Sequence, residues 1–410
     1  MADLFWPGDE RAELAFDPGS FLETQVEVED VWLNVLVEAG VAPAGARADL
    51  HGLVSGADLE RVAGAAEASG NPVVPLLSLL RERLAPTNAE AATWLHRGLT
   101  SQDVLDTAVV LCGRATTALV LSHLDRSVST LERLARRHRD DVMAGRTLTQ
   151  HAVPITFGLK AAHWLQGLLD ARDDLRALRF PVQVGGAAGT LAATVELAGD
   201  VDAAQFLVAE TARILHLDNA SPWHTTRTPL TRYADALVRT TDAMGHLAND
   251  VLLLARPEIA ELAEPAVDGR GGSSTMPQKA NPVLSVLIRR AALAAPGLNA
   301  QLHLAAAATV DERPDGSWHT EWSALATLSR HTLAAASQTA ELLAGLHVDT
   351  ARMAALVKQQ GSALTAEQRS IAELLDREAA SDPRHYLGAA GEIIDEVLSR
   401  TDDHDQEEEQ

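Results

Sequence analysis

One segment of about forty residues limits the possible folds of this chain more than any other feature. From Thr100 to Asp141 the sequence reads TSQDVLDTAVVLCGRATTALVLSHLDRSVSTLERLARRHRDD, and a Ser-x-x-Asp-like cap opens it. Apolar or small residues recur in it at helical spacing, forming a stripe of Leu105, Val109, Cys112, Thr116, Leu119, Leu124, Val128, Leu131 and Leu134. Because the run exceeds an ordinary globular helix, it predicts a bundle of long helices.

Three further segments, residues 232–262, 281–308 and 320–346, repeat this periodicity, whereas alternating strand patterns are hard to find. The prediction is therefore an all-α fold with three helical domains. Residues 1–100 form an N-terminal domain of shorter helices, and residues 101–346 form the central bundle of long helices. Residues 347–410 form a C-terminal helical cap, which ends in the acidic run DDHDQEEEQ, a solvated tail in the simplest interpretation.

Composition excludes several classes of function. The net charge of -23 argues against a nucleic-acid partner, although a few local cations can still bind a small anion. Cys112 is the single cysteine, so the sequence predicts neither a disulfide framework nor a thiolate metal site. The N-terminus lacks the features of a secretory signal, and no continuous apolar run reaches the roughly 18 residues of a membrane span. We expect a soluble cytoplasmic protein with no membrane association.

Three polar stretches interrupt the helical pattern, at Trp94–Ala108, Gly145–Trp164 and Gly269–Pro282. Each places hydroxyl, amide, His or Lys side chains where a long helix begins or is interrupted. Unpaired N–H groups and the positive end of the helix dipole make such places suitable for carboxylates. Taken singly, each stretch is explained by an ordinary cap or turn, whereas their joint occurrence indicates a site for an anionic substrate.

The third stretch carries a specific resemblance. Its sequence GSSTMPQKANP is similar to the signature GSSxMPxKxNP of the fumarase/aspartase superfamily. TSQDVLDTA and GRTLTQHAVPITFG resemble the first and second shared regions of the same superfamily. The resemblance implies a helical protomer whose long central helices form the core of a homotetramer. It also implies active sites assembled from three subunits and a small polycarboxylate substrate.

The resemblance also implies roles for individual residues. The third stretch, residues 269–282, is called the signature loop below; Ser274 is expected to be its catalytic serine, with His151 as a second catalytic residue. A serine hydroxyl is a weak base, so neighbouring dipoles and cations must tune it. The expected substrate-binding residues are Asn71, His96, Thr100, Ser101, Gln102, Arg146, Thr147, Gln150, Arg227, Ser273, Met276, Lys279, Asn281, Arg313, Trp318 and His319. No metal and no organic cofactor is expected.

Several stretches resemble one branch of the superfamily, the 3-carboxy-cis,cis-muconate cycloisomerases. They are GNPVVPL (70–76), VGGAAGTLAA (184–193), SPWHTTR (221–227), ERPDGSWHTEW (312–322) and YLGAAGEIIDEVL near the C-terminus. This resemblance implies closure of 3-carboxy-cis,cis-muconate to a carboxymuconolactone. One carboxylate adds to an alkene carbon, and the carbon alpha to another carboxylate is protonated. The corresponding pathway would be aromatic compound catabolism through beta-ketoadipate.

One residue departs from the superfamily pattern. Most of its lyases read Gly-Arg-Thr-His in the second region, with that histidine implicated in acid catalysis, whereas this chain has Leu148. Leucine cannot transfer a proton, and the cycloisomerase branch also lacks the histidine, typically showing tryptophan. Two alternatives therefore stay open. One is a lyase that releases fumarate by eliminating an amine or a nitro group from a succinate derivative, and the other is a non-catalytic structural tetramer.

Overall fold

The computed structural model describes residues 3–272, 275–276 and 279–408. In these residues the chain forms the α-helices α1 (Pro18–Glu38), α2 (Leu59–Ala66), α3 (Val73–Leu84), α4 (Ala89–Trp94), α5 (Ser101–Arg137), α6 (Phe157–Arg176), α7 (Ala192–Ala198), α8 (Val201–Ile214), α9 (Thr228–Leu254), α10 (Val283–Ala307), α11 (Gly316–Ala344), α12 (Thr350–Gln360), α13 (Ala366–Leu374) and α14 (Ala390–Glu408). The predicted all-α class is confirmed.

Contacts divide the chain into two compact units, each made of three chain segments. Unit 1 contains Met1–Leu119, Ala177–Leu237 and Ala295–Leu333. Unit 2 contains Val120–Arg176, Val238–Ala294 and Ala334–Gln410. Four long helices, α5, α9, α10 and α11, have residues in both units. The division into three domains at residues 100 and 346 stays a prediction.

Helix α5 begins where its sequence cap predicted. The backbone N–H of Thr100 donates to Asp103 Oδ2 at 2.9 Å, which is the reciprocal half of a capping box. The predicted apolar stripe lies largely inside, with Leu105, Leu124 and Leu131 fully buried. At 37 residues, α5 is about 55 Å long.

In the part of the chain that the structure describes, two helices, α5 and α10, are long and apolar enough to cross a membrane by length and composition. The sequence expectation differed because an average over 18 residues tolerates polar side chains that break a continuous apolar run. The protein buries 67% of that window in α5 and 28% of it in α10. A core helix of a soluble protein passes the same test, so these two windows give weak support for a membrane protein.

Helix α9 ends earlier than the apolar pattern through residue 262 suggested. It stops at Leu254, and Pro257 follows shortly afterwards, which disfavours helical backbone at the residue before it. Leu262, the last residue of the pattern, instead begins the short strand β3 (Leu262–Ala263), which pairs antiparallel with β4 (His347–Val348).

A β-hairpin also replaces part of the expected helical background. Strands β1 (Val142–Thr147) and β2 (Gln150–Thr156) pair antiparallel, and Thr147 lies opposite Gln150. The two connecting residues, Leu148 and Thr149, have positive φ angles of 47° and 71°. Positive φ at both positions is the type I′ geometry, which usually carries Asn-Gly or Asp-Gly. Since Leu-Thr gives no such signal, the sequence did not reveal the hairpin.

Candidate active site

The predicted site residues fall into two groups, one in each unit. Unit 1 holds Asn71, His96, Thr100, Ser101, Gln102, Arg227, Arg313, Trp318 and His319. Unit 2 holds Arg146, Thr147, Gln150, His151, Met276, Lys279 and Asn281. Ser273 and Ser274 lie outside the described residues, so their predicted roles stay predictions.

Asp103 lies fully buried in the first turn of α5, next to residues of the first group. Its carboxylate accepts hydrogen bonds from the N–H groups of Gly185 and Gly186, each at 2.9 Å. It also accepts the N–H of Thr100, and His224 Nε2 lies 3.0 Å away. Gly185 needs to be glycine, because a Cβ there would lie 2.6 Å from the His224 ring. Asp103 thus fixes the start of α5 against residues 185–186, here called the glycine segment.

Beside Asp103 lies a buried ion cluster around Arg227. Its guanidinium donates to Asp106 Oδ2 at 2.7 Å and to Glu321 Oε2 at 2.6 Å. Trp318 Nε1 and Gln102 Nε2 donate to the same Asp106 carboxylate at 2.9 Å and 3.1 Å. All five residues are buried, so Gln102, Arg227 and Trp318, predicted to bind substrate, have interior partners here. Their role in substrate binding stays a prediction.

The electrostatics of the cluster keep Arg227 charged. Burial alone would lower the pKa of Arg227, but the carboxylates of Asp106 and Glu321 outweigh it, so its pKa lies above the ordinary value. Burial raises the pKa of Glu321, although its hydrogen bond and its attraction to Arg227 act in the opposite direction. Removing Arg227 would therefore leave buried carboxylates without their counter-ion.

His96 is held by helix α1 just before α5 begins. Its Nδ1 lies 2.6 Å from Oε1 of the fully buried Glu29, and its backbone has a positive φ of 66°. One turn further along α1, Trp32 Nε1 donates to the carbonyl of Arg97 at 2.7 Å. Non-glycine residues seldom adopt this backbone conformation, and it is often found at functional sites. The two contacts hold the His96 segment in that geometry.

Cationic and polar groups meet at the N-terminus of α5. Arg313 Nη1 donates to Thr100 Oγ1 at 3.1 Å, and its guanidinium lies 5.2 Å from the centre of the Trp318 ring. Thr100, Ser101 and Arg313 are half-buried, so they remain accessible from solvent. A helix N-terminus with an adjacent arginine is suited to a carboxylate.

Asn71 and His319 bind backbone groups near the start of α3, and His319 also contacts the backbone before α11. The Asn71 side chain accepts the N–H of Val73 at 3.1 Å and donates to Ser69 O at 3.1 Å. The two ring nitrogens of His319 lie 2.8 Å from Gly70 O and 2.9 Å from Asp315 O. The stretches 70–76 and 312–322, which resemble the cycloisomerase branch, are therefore in direct contact.

In unit 2, the hairpin presents its predicted residues to solvent. Thr147, Gln150 and His151 are exposed, and Leu148 at the tip is 95% exposed. Arg146 is the exception, because its guanidinium donates to Oε2 of the fully buried Glu261 at 2.9 Å. In this chain Arg146 has a buried carboxylate partner, and its predicted contact with substrate stays a prediction.

Residues Gly271 and Asn281 close the base of the signature loop. Both the backbone N–H and the side-chain amide of Asn281 donate to Gly271 O, at 2.8 Å and 2.9 Å. Gly271 has a φ of 73°, and a Cβ there would lie 2.6 Å from Asn281 O, so glycine is required. Met276 and Lys279 are exposed within the loop. The Asn281 amide, predicted to hold substrate, forms part of this closure.

A separate cavity of about 760 Å³ lies in unit 2 and is lined by residues of α12, of α13 and of the segment before α14, including Lys358, Arg369 and Arg384. None of the predicted site residues lines it. The predicted chemistry therefore concerns the hairpin, the loop and the start of α5, and not this cavity.

Among the described residues, one group has the spacing to hold a metal ion. Ligand atoms of Asp30, Asp49 and His51 lie within 4.8 Å of one another. His51 Nδ1 lies 2.9 Å from Asp49 Oδ1, and both side chains are exposed. An ordinary surface hydrogen bond accounts for that proximity, and none of the three belongs to the predicted site.

Comparison with known proteins identifies the family. The family model described as Lyase matches residues 61–297. A nitrosuccinate lyase of Streptomyces davaonensis is 40% identical and aligns with 95% of this chain and 92% of its own length. A 3-carboxy-cis,cis-muconate cycloisomerase of Bradyrhizobium diazoefficiens is 39% identical, over 92% of this chain and 83% of its own length.

The fold agrees with a solved structure. The 3-carboxy-cis,cis-muconate lactonizing enzyme of Pseudomonas putida matches with a TM-score of 0.85 and 30% identity, over 94% of this chain and 95% of that one. The chain therefore belongs to the fumarase/aspartase superfamily of lyases, and the predicted resemblance is confirmed. It is an enzyme of the lyase and cycloisomerase group.

Proposed function

We propose that the protein catalyses closure of 3-carboxy-cis,cis-muconate to a carboxymuconolactone in the cytoplasm, as a step of aromatic compound catabolism. The observation that carries this proposal is the packing of the branch-typical stretches in unit 1. Gly70 contacts His319, the glycine segment 185–186 binds Asp103, and Arg227 binds Glu321. The four of these stretches that lie in unit 1 are thus connected to one another, with Asp103 linking the glycine segment to His224 of the stretch 221–227. The similarity to the named cycloisomerases supports the same reaction.

The chemistry needs anion binding and one proton transfer. A carboxylate oxygen attacks an alkene carbon, and the alkene electron pair moves to the carbon alpha to another carboxylate. That carbon then takes one proton, so a tricarboxylate and one solvent proton give a dicarboxylate lactone. In the proposal Ser274 transfers this proton, His151 assists it, and Lys279 stabilises the carboxylate that gains charge. Thr100, Ser101 and Arg313 hold a second carboxylate at the N-terminus of α5.

Leu148 limits the leaving groups that such a site can handle. In the elimination direction, an amine must be protonated as it leaves, whereas a carboxylate or nitrite leaves as a stable anion. A chain with leucine in place of the acid histidine therefore suits anionic leaving groups. This observation favours one second candidate, the release of fumarate and nitrite from nitrosuccinate. The similarity to the nitrosuccinate lyase of Streptomyces davaonensis supports the same alternative.

A substrate panel separates these candidates. The purified enzyme is incubated with 3-carboxy-cis,cis-muconate, 2-nitrosuccinate and aspartate, and diene absorbance, nitrite and fumarate are followed. We expect kcat/KM for the muconate to exceed the others by at least about 100-fold, a difference of about 3 kcal/mol in transition-state stabilisation. Faster nitrite release would establish the second candidate and reject the first. Turnover of none of the three would support the non-catalytic alternative.

We also propose a homotetramer with composite active sites. The predicted residues are divided between the two units, and α10 exposes Val286, Leu293 and Leu304 in the single chain. Exposed apolar side chains on a long helix are typical of a subunit interface. Mixing inactive Ser274→Ala and His151→Ala tetramers under mild dissociation should restore activity through hybrid sites that carry neither change. No recovery, with hybrids verified by mass, would reject shared sites.

A further inference from the structure

The four residues Glu261 to Glu264, here named the bracket, lie between α9 and the signature loop. Their backbone is fixed on both sides, because the N–H of Glu261 donates to Leu254 O at 2.9 Å and its carbonyl accepts the N–H of Asp349 at 3.0 Å. The two central residues form β3, which pairs with β4. The backbone of the bracket is therefore fixed within unit 2, and its two carboxylates bind other segments of that unit.

The first carboxylate of the bracket holds the hairpin. Glu261 is fully buried and accepts from Arg146 at 2.9 Å. Arg146 is the ladder partner of His151, the predicted second catalytic residue, so the ion pair lies next to the backbone that carries His151. Holding Arg146 therefore fixes the position of His151 in the hairpin.

The second carboxylate of the bracket holds the exit of the signature loop. Glu264 Oε2 accepts the N–H of Leu284 at 3.0 Å, while Oε1 accepts the N–H of Ser285 at 2.7 Å and its hydroxyl at 2.6 Å. These are the second and third residues of α10, whose N–H groups have no partner within the helix. A carboxylate there also has a favourable interaction with the helix dipole.

Among the described residues directly before α10, none supplies a side-chain cap. The residue before it is Pro282, whose side chain cannot accept a hydrogen bond, and the amide of Asn281 already donates to Gly271 O. Glu264 therefore supplies the cap from the other side of the loop. The loop is tied twice across its base, at Gly271 with Asn281 and at Glu264 with Ser285.

From these contacts we infer that Glu261 and Glu264 are positioning residues of the reaction, which hold the hairpin that carries His151 and the exit of the signature loop in a fixed relation. This inference rests on the proposed function, because it takes the loop and the hairpin as the catalytic segments. Loss of either carboxylate should lower kcat more than it raises KM, since displacements of about 1 Å in a catalytic group cost about 100-fold in rate.

The test uses Glu264→Gln, which keeps the size of the side chain but removes its charge and one acceptor oxygen. We expect kcat to fall by about 10- to 100-fold with KM changed less than about threefold. Glu264→Asp, which retains the carboxylate, should restore part of kcat. The matched control is Asp200→Asn, the same chemical change at the cap of α8, where Asp200 accepts the N–H of Ala203 at 2.7 Å. It should leave kcat unchanged.

A second readout does not depend on turnover. Trypsin cleavage after Lys279 should be faster in Glu264→Gln than in the wild type and unchanged in Asp200→Asn. If the wild type fails to convert the muconate, the proposed function is rejected, while the cleavage comparison still tests the bracket. Wild-type kcat together with wild-type cleavage in Glu264→Gln would overturn the inference. The inference would also be overturned if Glu264→Gln and Asp200→Asn lost kcat to the same extent.

Discussion

The buried cluster of unit 1 and the hairpin tip of unit 2 come from equally recognisable stretches of sequence, yet they differ in physical character. In the cluster around Arg227, charged groups lie inside the protein and bind one another. At the tip, Leu148 is 95% exposed, and Leu148 and Thr149 both have left-handed backbone. One region has interior charges with partners, and the other has an exposed apolar residue in a strained turn.

This difference shows that residues in family-typical stretches can serve two roles, support of the structure and function at the site. The cluster and the neighbouring Asp103 hold α5 and the glycine segment in place, so we expect these residues to affect the site through the scaffold. The tip is exposed in a single chain, and strained backbone of this kind clusters at functional sites. Substitutions in the cluster should therefore affect stability first, and substitutions at the tip should affect activity first.

The largest expected effect on stability is that of Arg227→Leu. The substitution leaves Asp106 and Glu321 buried without their counter-ion, so we expect a loss of about 3–5 kcal/mol in the free energy of unfolding. Urea denaturation at pH 7.5 measures it. The control is an ion pair on the surface, between Arg213 and Glu210. Arg213→Leu removes the exposed partner of Glu210 and should leave the urea midpoint unchanged.

The same variant has a predicted pH dependence. Burial raises the pKa of Glu321 even with Arg227 present, so without Arg227 the folded state should bind a proton that the unfolded state has released. Stability then falls as pH rises above the ordinary glutamate pKa of about 4.3, and the deficit of Arg227→Leu should be larger at pH 8 than at pH 5.5. A deficit that shrinks with rising pH would contradict the interpretation of the cluster as a buried charge network.

A smaller effect on stability is expected at the hairpin tip. Replacing Leu148 and Thr149 by Asn and Gly supplies the pair that a type I′ turn prefers. We expect stability to be unchanged or to rise by up to about 1 kcal/mol, because the strain of two left-handed residues is relieved. Activity should fall by at least about tenfold if the tip is retained for function. A variant with unchanged kcat/KM would show that the tip residues are dispensable.

The smallest effect concerns Cys112 in unit 1. Burial raises the pKa of its thiol to about 11 from an ordinary 9.0, and the contact with Thr24 only partly opposes this. At pH 8 the thiolate fraction is then about 100-fold lower than in the unfolded chain, and iodoacetamide should react correspondingly slowly. Mass spectrometry of native and urea-unfolded protein gives the two rates. Equal rates in the two states would contradict the burial of this thiol.

The sequence predicted the helical architecture because the information is local. The cap at Thr100 and the apolar stripe place α5 within a residue of its observed start at Ser101. The signature loop likewise lies where Gly and Pro interrupt the helical pattern, between α9 and α10. Local signals failed where the turn chemistry was atypical, as in the Leu148–Thr149 hairpin.

The partners of the buried charges could not be predicted. Glu29 binds His96, and Glu321 binds Arg227, across long separations in sequence. No periodic pattern marks an acidic residue whose partner is brought to it by the fold, so these carboxylates were missed. Asp103 lies in the motif TSQDVLDTA, but a helix cap and a buried carboxylate that binds several groups give the same sequence signal.

In the proposed function, the signature loop performs the chemistry while the buried cluster supports it. The direct test is Ser274→Ala, measured for both kcat on 3-carboxy-cis,cis-muconate and melting temperature. We expect turnover to fall by about 100-fold or more, the usual contribution of a general acid–base group, with an unchanged melting temperature. Retention of more than about a tenth of wild-type turnover would contradict the catalytic role of the loop, because loss of a general acid–base group leaves far less activity.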